Sequence, residues 1–245
     1  MRTLVWFSYF WMYLLLVMPR LKKARRLREE GRVEEHDRMV RENVDRWARR
    51  LLRLAGAQVT VEGQENIPER PVVFVADHQG YFDIPLMLTC LDKPNPIIAK
   101  AEIEKLPLIR SWMRELNCLF LQRDDARQSM EVLKEAQNLL QKGYSVVIFP
   151  EGTRSKGGPV KEFKAGAIRV ATRAGVPIVP VCIDGSYRLM EGNHMWIRPA
   201  KVKVTCLPPV PTEGMSREEI RALPERLREM ICQAGPLERK EAADE

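Results

Sequence analysis

Two uninterrupted apolar runs constrain this chain most: Val72, Val73, Phe74 and Val75, and Val146, Val147, Ile148 and Phe149. A strand with one wet face alternates apolar and polar residues. These runs do not, so they read as central strands covered on both faces. Further β-rich spans lie at 59–62, 96–99, 118–122, 178–183 and 202–207, and helical spans at 83–91, 106–116, 125–141, 165–174 and 217–232. This alternation predicts an α/β fold, with a mixed, largely parallel sheet flanked by helices. Ligands of such sheets bind beyond the carboxyl ends of the strands. The 245 residues suffice for one core, and the expected division is 1–56 (N-terminal membrane-associated helices), 57–235 (the α/β domain) and 236–245 (a polar tail).

The N-terminal part stands apart in composition. Residues 4–18 are almost wholly apolar and aromatic, Pro19 is expected to end the run, and six Lys or Arg lie between Arg20 and Arg28. As a helix this run rises only ~22 Å, short of the ~30 Å hydrocarbon core, which disfavours a full span but leaves both spanning and dipping open. The basic cluster favours the cytoplasmic face of a membrane, at roughly 1 kcal/mol per cation near anionic headgroups. Val40, Val44, Trp47, Leu51 and Leu54 then mark one stripe of a basic amphipathic helix. That stripe suits either the lipid interface or packing on the protein core. Thirteen basic and seven acidic residues from Arg20 to Arg53 account for +6 of the net charge of +7, which leaves the remainder near neutral and argues against a nucleic-acid-binding core. The five cysteines are scattered and the histidines number three, a pattern that gives neither a disulfide framework nor a metal site.

Two segments carry chemistry, each at the end of an apolar strand. In Asp77-His78-Gln79-Gly80-Tyr81-Phe82-Asp83 a histidine base is followed, after four residues, by a carboxylate able to orient it. Asp83 equally resembles a helix N-cap ahead of Pro85, and His78 a structural histidine at a strand end. In Phe149-Pro150-Glu151-Gly152-Thr153-Arg154-Ser155 a glycine turn presents Arg154, whose guanidinium can grip phosphate through two N–H groups. Lys100 and Arg123 are further cations at strand ends, and Glu151, Gly152 and Thr153 complete the expected anion loop, Glu151 being equally able to anchor an arginine or shape the loop. The bland reading of each cation is a solvated surface charge. Neither a nucleophile elbow nor a nucleotide-binding glycine motif is present. Base and anion site together point to acyl transfer onto a phosphate-bearing alcohol, without a covalent enzyme intermediate.

These segments resemble the glycerolipid acyltransferase family, and within it the 1-acylglycerol-3-phosphate O-acyltransferases. The family's Asn-His-x4-Asp block matches at His78 and Asp83, with Asp77 for Asn and Gly80 where Ser is common. A second block matches from Leu119 to Arg123, with Asn117 in place of Gly. Phe-Pro-Glu-Gly-Thr-Arg-Ser is intact from Phe149 to Ser155, and Val-Pro-Ile-Val-Pro-Val from Val176 to Val181. The resemblance implies a membrane-bound enzyme with no cofactor. It would move a fatty acyl chain from acyl-CoA or acyl-carrier protein to the sn-2 hydroxyl of lysophosphatidic acid. His78 would be the base and Asp83 its orienting partner, while Arg123 and the Glu151–Arg154 loop would hold the phosphate. Related members acylate other lysophospholipids, glycerol 3-phosphate or lyso-ornithine lipid, so those acceptors stay open. So do two further readings, a lipid hydrolase and a catalytically silent membrane-surface protein.

Overall fold

A computed structural model describes residues 1–91, 95–122 and 124–235. The expected tail, 236–245, lies outside them. Among the described residues seven strands form: β1 (Ala57–Glu62), β2 (Val73–Ala76), β3 (Ile98–Lys100), β4 (Leu119–Leu121), β5 (Val146–Ile148), β6 (Ile178–Asp184) and β7 (Ala200–Cys206). Five make one sheet in the order β1-β7-β6-β2-β5, parallel except for the antiparallel β6–β7 pair. The parallel pair β3–β4 joins its edge through a bridge from Ile97 to Val147. The sheet is thus mixed and largely parallel, as the apolar runs require.

Helices cover both faces. Phe74 and Ala76 of β2, with Val179, Val181 and Ile183 of β6, meet α1 (Arg2–Leu16), α3 (Val33–Ala55) and α4 (Asp83–Cys90). The alternate residues Val73, Val75, Ile178 and Cys182 meet α6 (Ala126–Gln141), α7 (Ala165–Ala174) and α8 (Arg217–Ala234), while α5 (Pro107–Glu115) packs against α1. Phe74 is fully buried, and burying such a side chain is worth about 1.5–3 kcal/mol. Strands β2, β5 and β6 are neighbours and parallel, so their carboxyl ends open on one edge of the sheet.

The N-terminal residues form three helices, one more than the sequence pattern marks. Pro19 sits in the first turn of α2 (Met18–Glu29) and starts that helix, because its missing N–H has no intrahelical partner to lose there. The pair α1–α2 is bent by 46°. Among the described residues no single helix is long and apolar enough to cross a membrane, while this bent pair passes on length and composition. The stripe of α3 turns inward: Val40 and Leu51 are buried, and Val44, Trp47 and Leu54 pack partly buried against the protein. The packing alternative therefore holds for that helix. On α1, Trp6 donates from Nε1 to the carbonyl of Leu51 at 2.9 Å and its ring lies 5.4 Å from that of Phe82. The opposite face of α1 leaves Leu4, Val5, Met12, Leu15 and Leu16 exposed.

Candidate active site

His78 leaves β2 at its carboxyl end, and the chain folds back so that Asp83 opens α4. The residue at the N-cap position is Phe82, so Asp83 is not the cap of this helix. Its carboxylate instead faces backward. Asp83 Oδ2 accepts from His78 Nδ1 at 2.7 Å and from the backbone N–H groups of Gln79 and Gly80 at 2.6 and 2.9 Å. Oδ1 accepts from the hydroxyl of Ser186. Four donors on a carboxylate with no exposed surface fix it in place. With Nδ1–H bound to Asp83, the lone pair of His78 sits on Nε2, the tautomer that can take a proton from a hydroxyl. The imidazole stacks on Phe149, centroids 4.3 Å apart, and keeps 18% of its surface exposed, so a substrate can reach it.

The second loop is stitched to the first. Glu151 is buried, and its two carboxylate oxygens accept from His78 N at 2.7 Å and from Lys161 N at 3.0 Å. The backbone N–H groups of Ser155 and Lys156 donate to the carbonyls of His78 and Gln79 at 2.7 and 3.0 Å. Glu151 therefore braces the two loops, and this differs from the expected substrate contact. A buried carboxylate aimed at backbone amides has no orientation left for a phosphate, which it would also repel. Gly152 takes the left-handed φ of +71° that turns the chain, and Thr153 is exposed. Arg154 is carried back over the first loop: its Cζ lies 3.7 Å from the ring centroid of Tyr81, and its Nη1 lies 3.4 Å from Glu191 Oε1. Imidazole and guanidinium are thus held by one short loop, from His78 to Tyr81.

Lys100, on β3, pairs with Glu102 at 2.5 Å with both side chains about half exposed, which favours the solvated reading of that cation. Arg123 lies outside the described residues. The sequence pattern missed Tyr81, Ser186 and Glu191. Ser186 and Glu191 follow β6 and reach the site only because β6 lies beside β2. Burial pushes the Glu191 carboxyl above the ordinary carboxylate range, a trend opposed by the N–H of Tyr81.

The three departures from the family pattern have local explanations. Asp77 Oδ1 accepts from Ile183 N at 2.7 Å, a bond that an Asn oxygen would make equally. Asn117 adopts φ +58°, a left-handed conformation natural to Gly and tolerated by Asn, and its Oδ1 accepts from Arg28. At Gly80, a Cβ would come within 2.6 Å of Glu191 Oε2, so the glycine leaves room for that carboxylate.

An apolar cavity of about 90 Å³ opens between the helices on the α4 side of the sheet. Ile84 and Leu88 of α4 line it, with Trp47, Trp112, Met113 and Cys118. Ile84, the next residue after Asp83 on α4, is the lining residue nearest in the chain to the His–Asp loop.

The acyltransferase family model matches residues 58–184, so both loops lie inside the match. A crystal structure of the 1-acyl-sn-glycerophosphate acyltransferase PlsC from Thermotoga maritima superposes with a TM-score of 0.81 at 31% identity, covering 95% of this chain and 92% of that one. The chain belongs to the acyltransferase family. It is 37% identical over 156 residues to a chloroplast 1-acyl-sn-glycerol-3-phosphate acyltransferase of Arabidopsis thaliana, and 33% identical over 179 residues to the human alpha enzyme of that name. Those matches cover 62% and 71% of this chain but only 44% and 62% of the two relatives, so the chain spans less than two thirds of their length.

Proposed function

We propose that this protein transfers a fatty acyl group from acyl-CoA or acyl-carrier protein to the sn-2 hydroxyl of lysophosphatidic acid, giving phosphatidic acid. The observation that carries the reading is the placement of a tautomer-fixed histidine and a stacked arginine on one loop, at Asp83 and Tyr81. The names of the relatives support the choice of acceptor.

His78 Nε2 takes the proton of the acceptor hydroxyl as its oxygen attacks the thioester carbonyl. Asp83 stabilises the imidazolium that forms. The tetrahedral intermediate collapses with loss of the C–S bond, and the leaving thiolate receives the proton from His78. Arg154 holds the acceptor's phosphate, joined by Arg123 through its match to the family's second block. This positions the hydroxyl and makes the attack effectively intramolecular. The apolar cavity beside α4 takes part of the acyl chain. The exposed face of α1 and the basic side chains of α2 set the protein on the cytoplasmic face of a membrane, where both lipids reside.

The test is acyl transfer by detergent-solubilised protein, with oleoyl-CoA offered against lysophosphatidic acid, glycerol 3-phosphate and a zwitterionic lysolipid in parallel, and His78→Ala as control. Product from lysophosphatidic acid that vanishes in the variant is the expected result. Product from another acceptor alone would keep the chemistry and reassign the substrate. If acyl-CoA and acyl-carrier protein both fail as donors with every acceptor, the enzymatic reading is wrong.

A further inference from the structure

Glu191 occupies an unusual position for a surface-loop acid. It opens a short 3-10 turn, Glu191–Asn193, after β6, yet its side chain is only 2% exposed. One oxygen is fully used: Oε1 accepts from Tyr81 N at 2.7 Å and faces Arg154 Nη1 at 3.4 Å. The other, Oε2, is buried without a hydrogen-bond partner and lies where a side chain at position 80 would begin. A buried carboxylate with an idle oxygen is costly, and an isolated ion pair at the surface would not require it. What the arrangement achieves is geometric. Arg154 has the Tyr81 ring beneath it and the Glu191 carboxylate at one edge, so its fork has one orientation and its remaining N–H groups are left for a phosphate.

We infer that Glu191 is a positioning residue of the acceptor site, which sets Arg154 over Tyr81 at the His78 loop, and that Gly80 exists to admit its carboxylate. This inference rests on the phosphate role proposed for Arg154 and deepens it. Backbone conformation does not demand glycine at position 80, since its φ lies outside the left-handed region. A serine there would meet only the far end of the Glu191 side chain, which can swing away. Gly80→Ser should therefore displace the carboxylate and leave the loop itself intact.

The experiment is steady-state kinetics with lysophosphatidic acid and oleoyl-CoA varied separately, for Glu191→Ala, Glu191→Gln, Gly80→Ser, the double variant Gly80→Ser/Glu191→Ala, and Arg154→Ala. Glu191→Ala is expected to raise the acceptor KM about tenfold while the donor KM stays within roughly twofold. Glu191→Gln should recover most of the loss, because the amide oxygen still accepts from Tyr81 N. Gly80→Ser should resemble Glu191→Ala, and the double variant should be no worse than either single one, since both act on the same contact. A Glu191→Ala effect that falls equally on both substrates, or an unchanged acceptor KM, overturns the inference. So does a double variant whose losses multiply. Should Glu191→Ala fail to fold, Glu191→Gln and Gly80→Ser decide the matter. Arg154→Ala separates the two levels. If it raises the acceptor KM and the Glu191 and Gly80 variants do not, the positioning role alone is lost. If it leaves the acceptor KM unchanged, the phosphate site itself was misassigned.

Discussion

Asp83 Oδ2 lies 2.7 Å from His78 Nδ1 and at the same time closes the turn between them by accepting from Gln79 N and Gly80 N. The carboxylate thus orients the imidazole and builds the loop that carries it. His78→Ala removes the proposed base and leaves the turn. Its kcat should fall by about 10²–10⁴-fold, the usual worth of a positioned general base. Thermal unfolding, checked in parallel, should stay close to that of the parent.

Ser186 is the partner of the other Asp83 oxygen, from a segment 103 residues away. Ser186→Ala leaves a buried carboxylate oxygen without its donor, at a cost of about 1–3 kcal/mol. Both the unfolding midpoint and kcat should drop, and the acceptor KM should change little. A variant as stable and as fast as the parent would show that this bond is dispensable.

Arg154 both stacks on Tyr81 and faces a carboxylate, a combination suited to a planar guanidinium. Arg154→Lys keeps the charge but not the fork, so it should restore little of what Arg154→Ala loses. With charged hydrogen bonds worth about 1.5–3 kcal/mol, the acceptor KM should rise roughly 10–100-fold in either variant. Separate titration of the two substrates is the check.

The two faces of α1 should separate in experiment. Trp6 is 7% exposed and bonds to Leu51, so Trp6→Ala should destabilise the fold by about 3–5 kcal/mol. Changing Leu4, Val5, Leu15 and Leu16 together to Gln alters only exposed positions. Flotation with anionic vesicles should then drop sharply at unchanged stability. Persistent flotation would assign the anchor to α2.

Leu88 lines the cavity one turn beyond Ile84 on α4. Leu88→Phe should fill part of the 90 Å³ and shift donor preference toward shorter acyl chains, with the acceptor KM unaltered. Competition between two acyl-CoA lengths measures this directly. An unchanged ratio would place the chain elsewhere.

Much of this architecture is legible in local pattern. Unbroken apolar runs mark β2 and β5 as doubly covered because no residue in them tolerates water, and each of the seven strands falls within two residues of its expected span. The His78–Asp83 spacing survives folding because a six-residue turn is a local object. Other features escape such reading. Pro19 begins a helix where an isolated proline looks like a stop, and among the roles open to Glu151 only the fold chooses, by turning it inward to backbone amides. The apolar stripe of α3 reads the same whether it faces lipid or protein.

The elements, the His78–Asp83 pair and the arginine loop are readable from the chain, since each depends on residues close together in it. Ser186 lies on Asp83, and Glu191 on Tyr81 and Arg154, only once the chain is folded, through contacts spanning 103, 110 and 37 residues. The reason is the order β6-β2-β5. Hydrophobic periodicity states that a strand is buried but not which strand lies beside it, and only that adjacency brings three loops to one edge of the sheet.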